Sequence, residues 1–254
     1  MNTELTIWFL VFTRIGAMLA VLPLFSSQTV PIQLRIALGA LVAFLVTPML
    51  PHVPGVDAPS IWSLARLMFV EASIGLLMGF VCRFVFYALE IAGGFVAMEM
   101  GLTMPAEFNQ VTGNAMFVPA LIFYWLAVML LLTLNLHHWM IVGFERSYAL
   151  VPMGAAQLSE ALLVNLVSKS AGVFVIALQI SAPVMAVSFL VTLVFAVLSR
   201  AVPQMNVFAE SMPVRTLLGL MTFGLTCTFM AQHVANYLRR LPEDMLSVAR
   251  LAGG

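Results

Sequence analysis

The side chains of this sequence best placed to do chemistry are charges embedded in long apolar runs. Arg14, Glu71, Arg83, Glu90, Glu99 and Lys169 all lie in such runs. A charge at mid-bilayer costs about 2.5–3.5 kcal/mol on insertion scales, so six of them facing lipid would be untenable. Each must pair, face water or pack against protein. Glu71 and Arg83 stand twelve residues apart, too far to touch along one helix. Arg83 and Glu90 are seven apart, on one helix face but two turns away. Their partners are therefore expected on other helices or other chains. A proton or ion relay is the alternative.

The remaining reactive side chains point away from catalysis. His137 and His138 are adjacent, so on a helix they project about 100° apart and cannot clamp one metal as an i, i+4 pair does. His137–Trp139 reads instead as a polar helix end near an interface. His52 and His233 are isolated. Cys82 and Cys227 sit in apolar runs and read as small buried residues. A serine nucleophile elbow, a P-loop and a dinucleotide fingerprint are all missing from the sequence. The expectation is a protein that is not an enzyme and carries no cofactor or metal.

The elements that position these charges follow from composition. Of 254 residues, 62% are hydrophobic and 9% charged, with eleven basic and eleven acidic side chains and a mean hydropathy of +1.06. Soluble domains average about 25% charged residues. A balanced, charge-poor chain has no electrostatic footprint for nucleic acid, and so much apolar surface excludes disorder. The class is an integral membrane or membrane-complex protein. Met1–Thr6 carries Glu4 and no Lys or Arg, so the first apolar stretch is expected to be retained rather than cleaved.

A spanning helix needs about 20 mostly apolar residues. Six stretches approach that: Leu5–Phe25, Pro31–Leu50, Leu64–Met100, Met116–Val142, Ala161–Leu198 and Val214–Leu238. The third and fifth are too long for one ordinary span and are read as helices that are bent or interrupted, with a kink at Pro183. The breaks read as turns: a stiff loop over His52–Ser60, a polar loop over Gly101–Asn114, and proline-bearing turns over Gly143–Ser159 and Ser199–Pro213. Gly75 and Gly79, with the Ala92–Ala97 group, suit close helix packing within the chain or against a partner. Arg200 and Arg215 flank the loop before the last apolar stretch, while Arg239, Arg240 and Arg250 follow it. Basic residues on both sides of a span conflict with the positive-inside rule. Either Arg215 belongs to the helix or these segments do not span in the simple way.

The most specific segment is LSRAVPQMNVFAESMPVR. Its Arg200, Pro203, Gln204, Asn206, Val207, Phe208 and Pro213 resemble the signature of the FliR family, the R-type export-gate proteins of the bacterial flagellum. Other positions agree in order along the chain: Arg14, Pro23, Pro31, Arg35, Pro48, Glu71 with Gly75 and Gly79, Gly93, Gly101, Asn135 with His137 or His138, and Ala182-Pro183. The loop after Gly101 departs from the family, which often carries an Asp-Pro pair there. An acidic residue that family members often place near Thr192 is also missing.

The resemblance implies an all-α, multi-helix membrane-complex protein with long kinked helices in hairpins, like a fused P-like and Q-like export-gate subunit. Residues 1–160 would be P-like and 161–254 a Q-like hairpin around the PQMNVF turn. It implies a place in the bacterial inner membrane, in the flagellar basal body, with P-type and Q-type subunits and the B-type and A-type export membrane proteins as partners. Unfolded flagellar proteins would be the cargo, driven by the proton motive force and a separate ATPase. A homologous subunit of a virulence type III secretion system and a self-contained secondary transporter are the alternatives. Family members place a plug-like loop at 101–114, so Gly101, Met104, Phe108, Gly113, Met116 and Phe117 are the expected gate residues. The turn residues Arg200, Pro203, Gln204, Asn206, Phe208 and Pro213 are the expected subunit contacts.

Overall fold

The computed structural model describes residues 3–23, 25–26, 30–50, 60–102, 107–109, 114–157, 159–204 and 206–253. Among these the chain is all-α apart from one small hairpin. The helices are α1 (Thr3–Val21), α2 (Ile32–Val46), α3 (Ile61–Glu99), α4 (Val118–Thr133), α5 (Leu136–Leu150), α6 (Glu160–Ala201), α7 (Val207–Leu238) and α8 (Leu241–Ala252). Between α3 and α4, β1 (Glu107–Asn109) pairs antiparallel with β2 (Asn114–Met116), Phe108 opposite Ala115. The sequence over 101–114 reads as a polar loop, and the structure forms a short hairpin over part of it. The stretch His52–Ser60 lies outside the described residues except for Ser60.

Five helical stretches are long and apolar enough to cross a membrane, and the bent α4–α5 pair makes a sixth candidate. The hub is α3. Its 39 residues give about 58 Å of helix, nearly twice a hydrocarbon core of about 30 Å. Ser60 starts it by accepting the Ser63 amide on its hydroxyl at 3.3 Å. Helices α1, α4, α6, α7 and α8 all pack on it. The α1 backbone approaches closely because α3 has glycine where it crosses. A Cβ on Gly75 would lie 2.1 Å from the Arg14 carbonyl oxygen. On Gly93 it would meet the Ala120 Cα of α4 at the same distance. The small-residue stripe therefore serves packing inside the chain.

Three boundaries differ from the sequence expectation. Both long helices run unbroken, α3 across its charges and α6 through Pro183. One proline forfeits one backbone hydrogen bond, a modest loss in a 42-residue helix. The break falls instead inside the fourth apolar stretch. Asn135 adopts the left-handed conformation at φ 54°, and α4 and α5 meet there at 71°. Helix α5 then continues to Leu150, into the expected turn. The turn before the last long helix is also shorter, because α7 begins at Val207 and includes both Pro213 and Arg215.

Helix α8 follows none of the predicted apolar stretches. Its sequence LPEDMLSVARLA buries Leu241, Met245, Val248, Ala249 and Ala252, at helical spacing, against α3 and α5. The Gln157 amide donates to the Ala252 carbonyl at 2.8 Å, and the Ser159 hydroxyl donates to the Leu251 carbonyl at 2.9 Å. The start of α6 is thereby tied to the end of α8.

Candidate functional site

Arg14 and Glu71 are fully buried, on α1 and α3. The Arg14 Nε donates to Glu71 Oε2 at 2.6 Å, and Nη2 donates to Oε1 at 3.2 Å. Nη1 donates to the Ser147 hydroxyl at 3.2 Å, and Nη2 also reaches the Val151 carbonyl at 3.2 Å. The guanidinium lies over the Tyr148 ring, 3.8 Å from its centroid. Glu71 Oε1 accepts a second bond, from the Gly154 amide at 2.9 Å, where Gly154 holds φ at 71°. Arginine supplies five donors in a fixed fork, and here they are distributed over a carboxylate, a hydroxyl and a backbone carbonyl. The knot fastens α1, α3, α5 and the 151–154 segment together in a low-dielectric interior.

A second junction forms where α3 ends. The Leu102 amide returns to the Ala97 carbonyl at 2.8 Å and the Gly101 amide to the Met98 carbonyl at 3.1 Å, a Schellman closure with Gly101 at φ 70°. On α6, the Ser188 hydroxyl donates to the Glu99 carboxylate and lies 3.3 Å from the Glu99 backbone carbonyl. On α7, the Thr216 hydroxyl donates to the Met100 carbonyl at 2.6 Å. A Cβ on Gly101 would lie 2.7 Å from the Met212 sulfur. The root of the β1–β2 hairpin is thus clasped by α6 and α7. Of the expected gate residues, Gly101 sits in this clasp and Phe117 caps α4, partly buried. Phe108 and Met116 stand in the two strands. Met104 and Gly113 lie outside the described residues.

The remaining embedded charges have separate surroundings. Lys169 pairs with Asp244, joining α6 to α8. Arg83 lies over the Tyr87 ring at 5.1 Å. Among the described residues neither Arg83 nor Glu90 makes an ion pair. Arg200 in the last turn of α6, and Pro203, Gln204 and Asn206 between α6 and α7, are exposed. Asn206 caps α7, its side-chain oxygen accepting the Ala209 amide at 3.3 Å. Phe208 and Pro213 belong to the first two turns of α7.

His137 and His138 open α5 with ring centroids 4.0 Å apart. His137 borders an apolar cavity of about 150 Å³ together with Cys82 and Met140. Among the described residues no three His, Cys, Asp or Glu side chains gather as metal ligands would. Sequence reasoning missed Ser147, Gly154, Ser188, Thr216 and Asp244 as partners of the embedded charges and helix ends. Ser188 and Thr216 are small hydroxyls inside apolar runs, Ser147 and Gly154 lie in the stretch read as a turn, and Asp244 lies beyond the last run, so none of them carries a signal.

Comparison with known proteins places this architecture. The model of the bacterial export proteins, family 1, matches residues 5–241. The flagellar biosynthetic protein FliR of Bacillus subtilis (strain 168) is 28% identical over 247 residues, covering 96% of this chain and 95% of the relative. That of Buchnera aphidicola subsp. Schizaphis graminum (strain Sg) is 31% identical over 211 residues, covering 82% of this chain and 80% of the relative. The Escherichia coli (strain K12) protein is 25% identical over 248 residues, covering 96% and 94%. The matched span takes in the buried knot, the α3 terminus and the α6–α7 turn, and the chain belongs to the FliR family of bacterial export proteins.

Proposed function

We propose that this chain is a pore-forming subunit of the flagellar type III export gate in the bacterial inner membrane. It joins P-type and Q-type subunits there and passes unfolded flagellar proteins. Residues 1–160 act as the P-like part and 161–254 as the Q-like hairpin. The observation that carries the reading is the contrast between α3 and the α6–α7 hairpin. The hub is half-sheathed by its own chain, whereas α6 and α7 leave Phe174, Phe189, Leu193, Leu217, Leu225 and Phe229 exposed, each at least half open. Lipid could cover one such face, but the hairpin is open on several sides and short of charge, which suits helices packed by neighbouring subunits. Flagellar naming of the curated relatives favours the flagellar over the virulence system. Expression with and without P-type and Q-type subunits tests the proposal. A stable particle containing all three is expected only on co-expression, and a well-behaved monomer in mild detergent would overturn it.

A further inference from the structure

One side of α3 is left open in a regular pattern. From Trp62 to Gly94, every position reached by alternating steps of four and three residues is unburied. Its second half runs Leu76, Phe80, Arg83, Tyr87, Glu90 and Gly94. Leu76 and Phe80 are 45% and 40% exposed. A strict 3.5-residue repeat drifts by about 20° per heptad on a straight helix. It stays in register only with a partner helix that crosses in the left-handed sense, at about 20°. A Cβ on Gly94 would meet nothing nearer than the Phe117 ring at 4.0 Å, so the stripe ends in a hollow where a knob can enter.

The charges narrow the occupant. Arg83 and Glu90 are one heptad apart, about 10 Å along the axis, too far to neutralise each other by contact. A lipid-facing stripe would not carry both. A second copy of this chain crossing the membrane in the same direction would set Arg83 against Arg83 and Glu90 against Glu90. We propose that this stripe seats a helix of a different chain, presenting a carboxylate to Arg83 and a cation to Glu90 one heptad apart. In a parallel partner the acid comes first, and in an antiparallel partner the base does. The inference rests on the chain being a subunit of an assembly, not on which subunits surround it.

The test places a photo-crosslinking phenylalanine analogue at Phe80 or Tyr87, and at Phe95 on the flank, in the full chain in intact membranes. Adducts to one other protein are expected from Phe80 and Tyr87 and not from Phe95. Arg83→Glu and Glu90→Arg should each lower the Tyr87 adduct at least about tenfold. The double variant should be no better than either single one, because the partner's charges are unchanged. Restoration in the double variant would mean that Arg83 and Glu90 answer only to each other. That result, a self-adduct of twice the chain's mass, or labelling of lipid alone would overturn the inference. Adducts are scored in membranes, so their absence beside an intact three-subunit particle fails this inference alone. A missing particle with adducts present fails only the gate assignment.

Discussion

Arg14 and Glu71 are 57 residues apart in sequence and 2.6 Å apart in space, with no water-accessible surface on either side chain. Removing one partner of such a pair strands the other charge and costs about 3–5 kcal/mol. Arg14→Met or Glu71→Met should therefore lower the thermal midpoint and the yield of the assembled particle sharply. The double variant should recover much of the loss, since an apolar pair of similar volume strands no charge. A single variant that melts with the wild type would show that the knot contributes little.

Helix crossing depends on two glycines more than on the others. Gly75→Ala and Gly93→Ala each drive a methyl group into backbone at 2.1 Å, so α1 or α4 must move off α3. Gly172→Ala meets nothing within 4 Å and should be neutral or stabilising by up to about 1 kcal/mol. Thermal unfolding of the three variants side by side checks the ranking.

Asn135 holds the α4–α5 bend with a positive φ. Glycine adopts that conformation freely, while a β-branched residue loses about 1–2 kcal/mol there. Asn135→Gly should preserve the melting temperature and Asn135→Val should lower it.

The α6–α7 turn allows folding and contact to be separated. Asn206→Ala removes a helix cap and should cost about 1 kcal/mol, with Asn206→Ser restoring it. Gln204 is exposed, so Gln204→Ala should leave the protein level unchanged. If the turn meets another export component, Gln204→Ala lowers secretion and swimming more than it lowers abundance. Equal abundance and equal export would leave the turn a local connection only.

The gate proposal for 101–114 is tested by leakage. A hydrophobic constriction blocks ions by dewetting, so Met104→Ser with Phe108→Ser should raise ion leakage through the assembled gate while the particle persists. An intact particle with unchanged leakage in idle cells would remove these side chains from the seal.

Sequence reading recovered the helical class, because hydropathy alone marks long apolar runs. It also marked Arg14 and Glu71 as charges in need of partners. It missed the pairing itself, which depends on α1 and α3 crossing at Gly75. The Asn135 bend escaped notice because one left-handed asparagine barely alters a hydropathy profile. Pro183 and Pro213 misled in the other direction: each removes one hydrogen bond, and the surrounding helix persists. Helix α8 was overlooked because its apolar residues are spaced among Glu243, Asp244 and Arg250 and never form a run.

The tie between 157–159 and 251–252 also bears on the order of synthesis. Helix α5 packs chiefly on α8, but α1, α2 and α4 can settle on α3 and on one another as they leave the ribosome. The foot of α6 has no such option, since the Gln157 amide and the Ser159 hydroxyl wait for carbonyls made more than ninety residues later. Until α8 emerges, the long hairpin is anchored to the hub only along its length and not at its base. Nascent chains halted before Leu241 should therefore hold the first four helices in place while the α6 base stays unlatched.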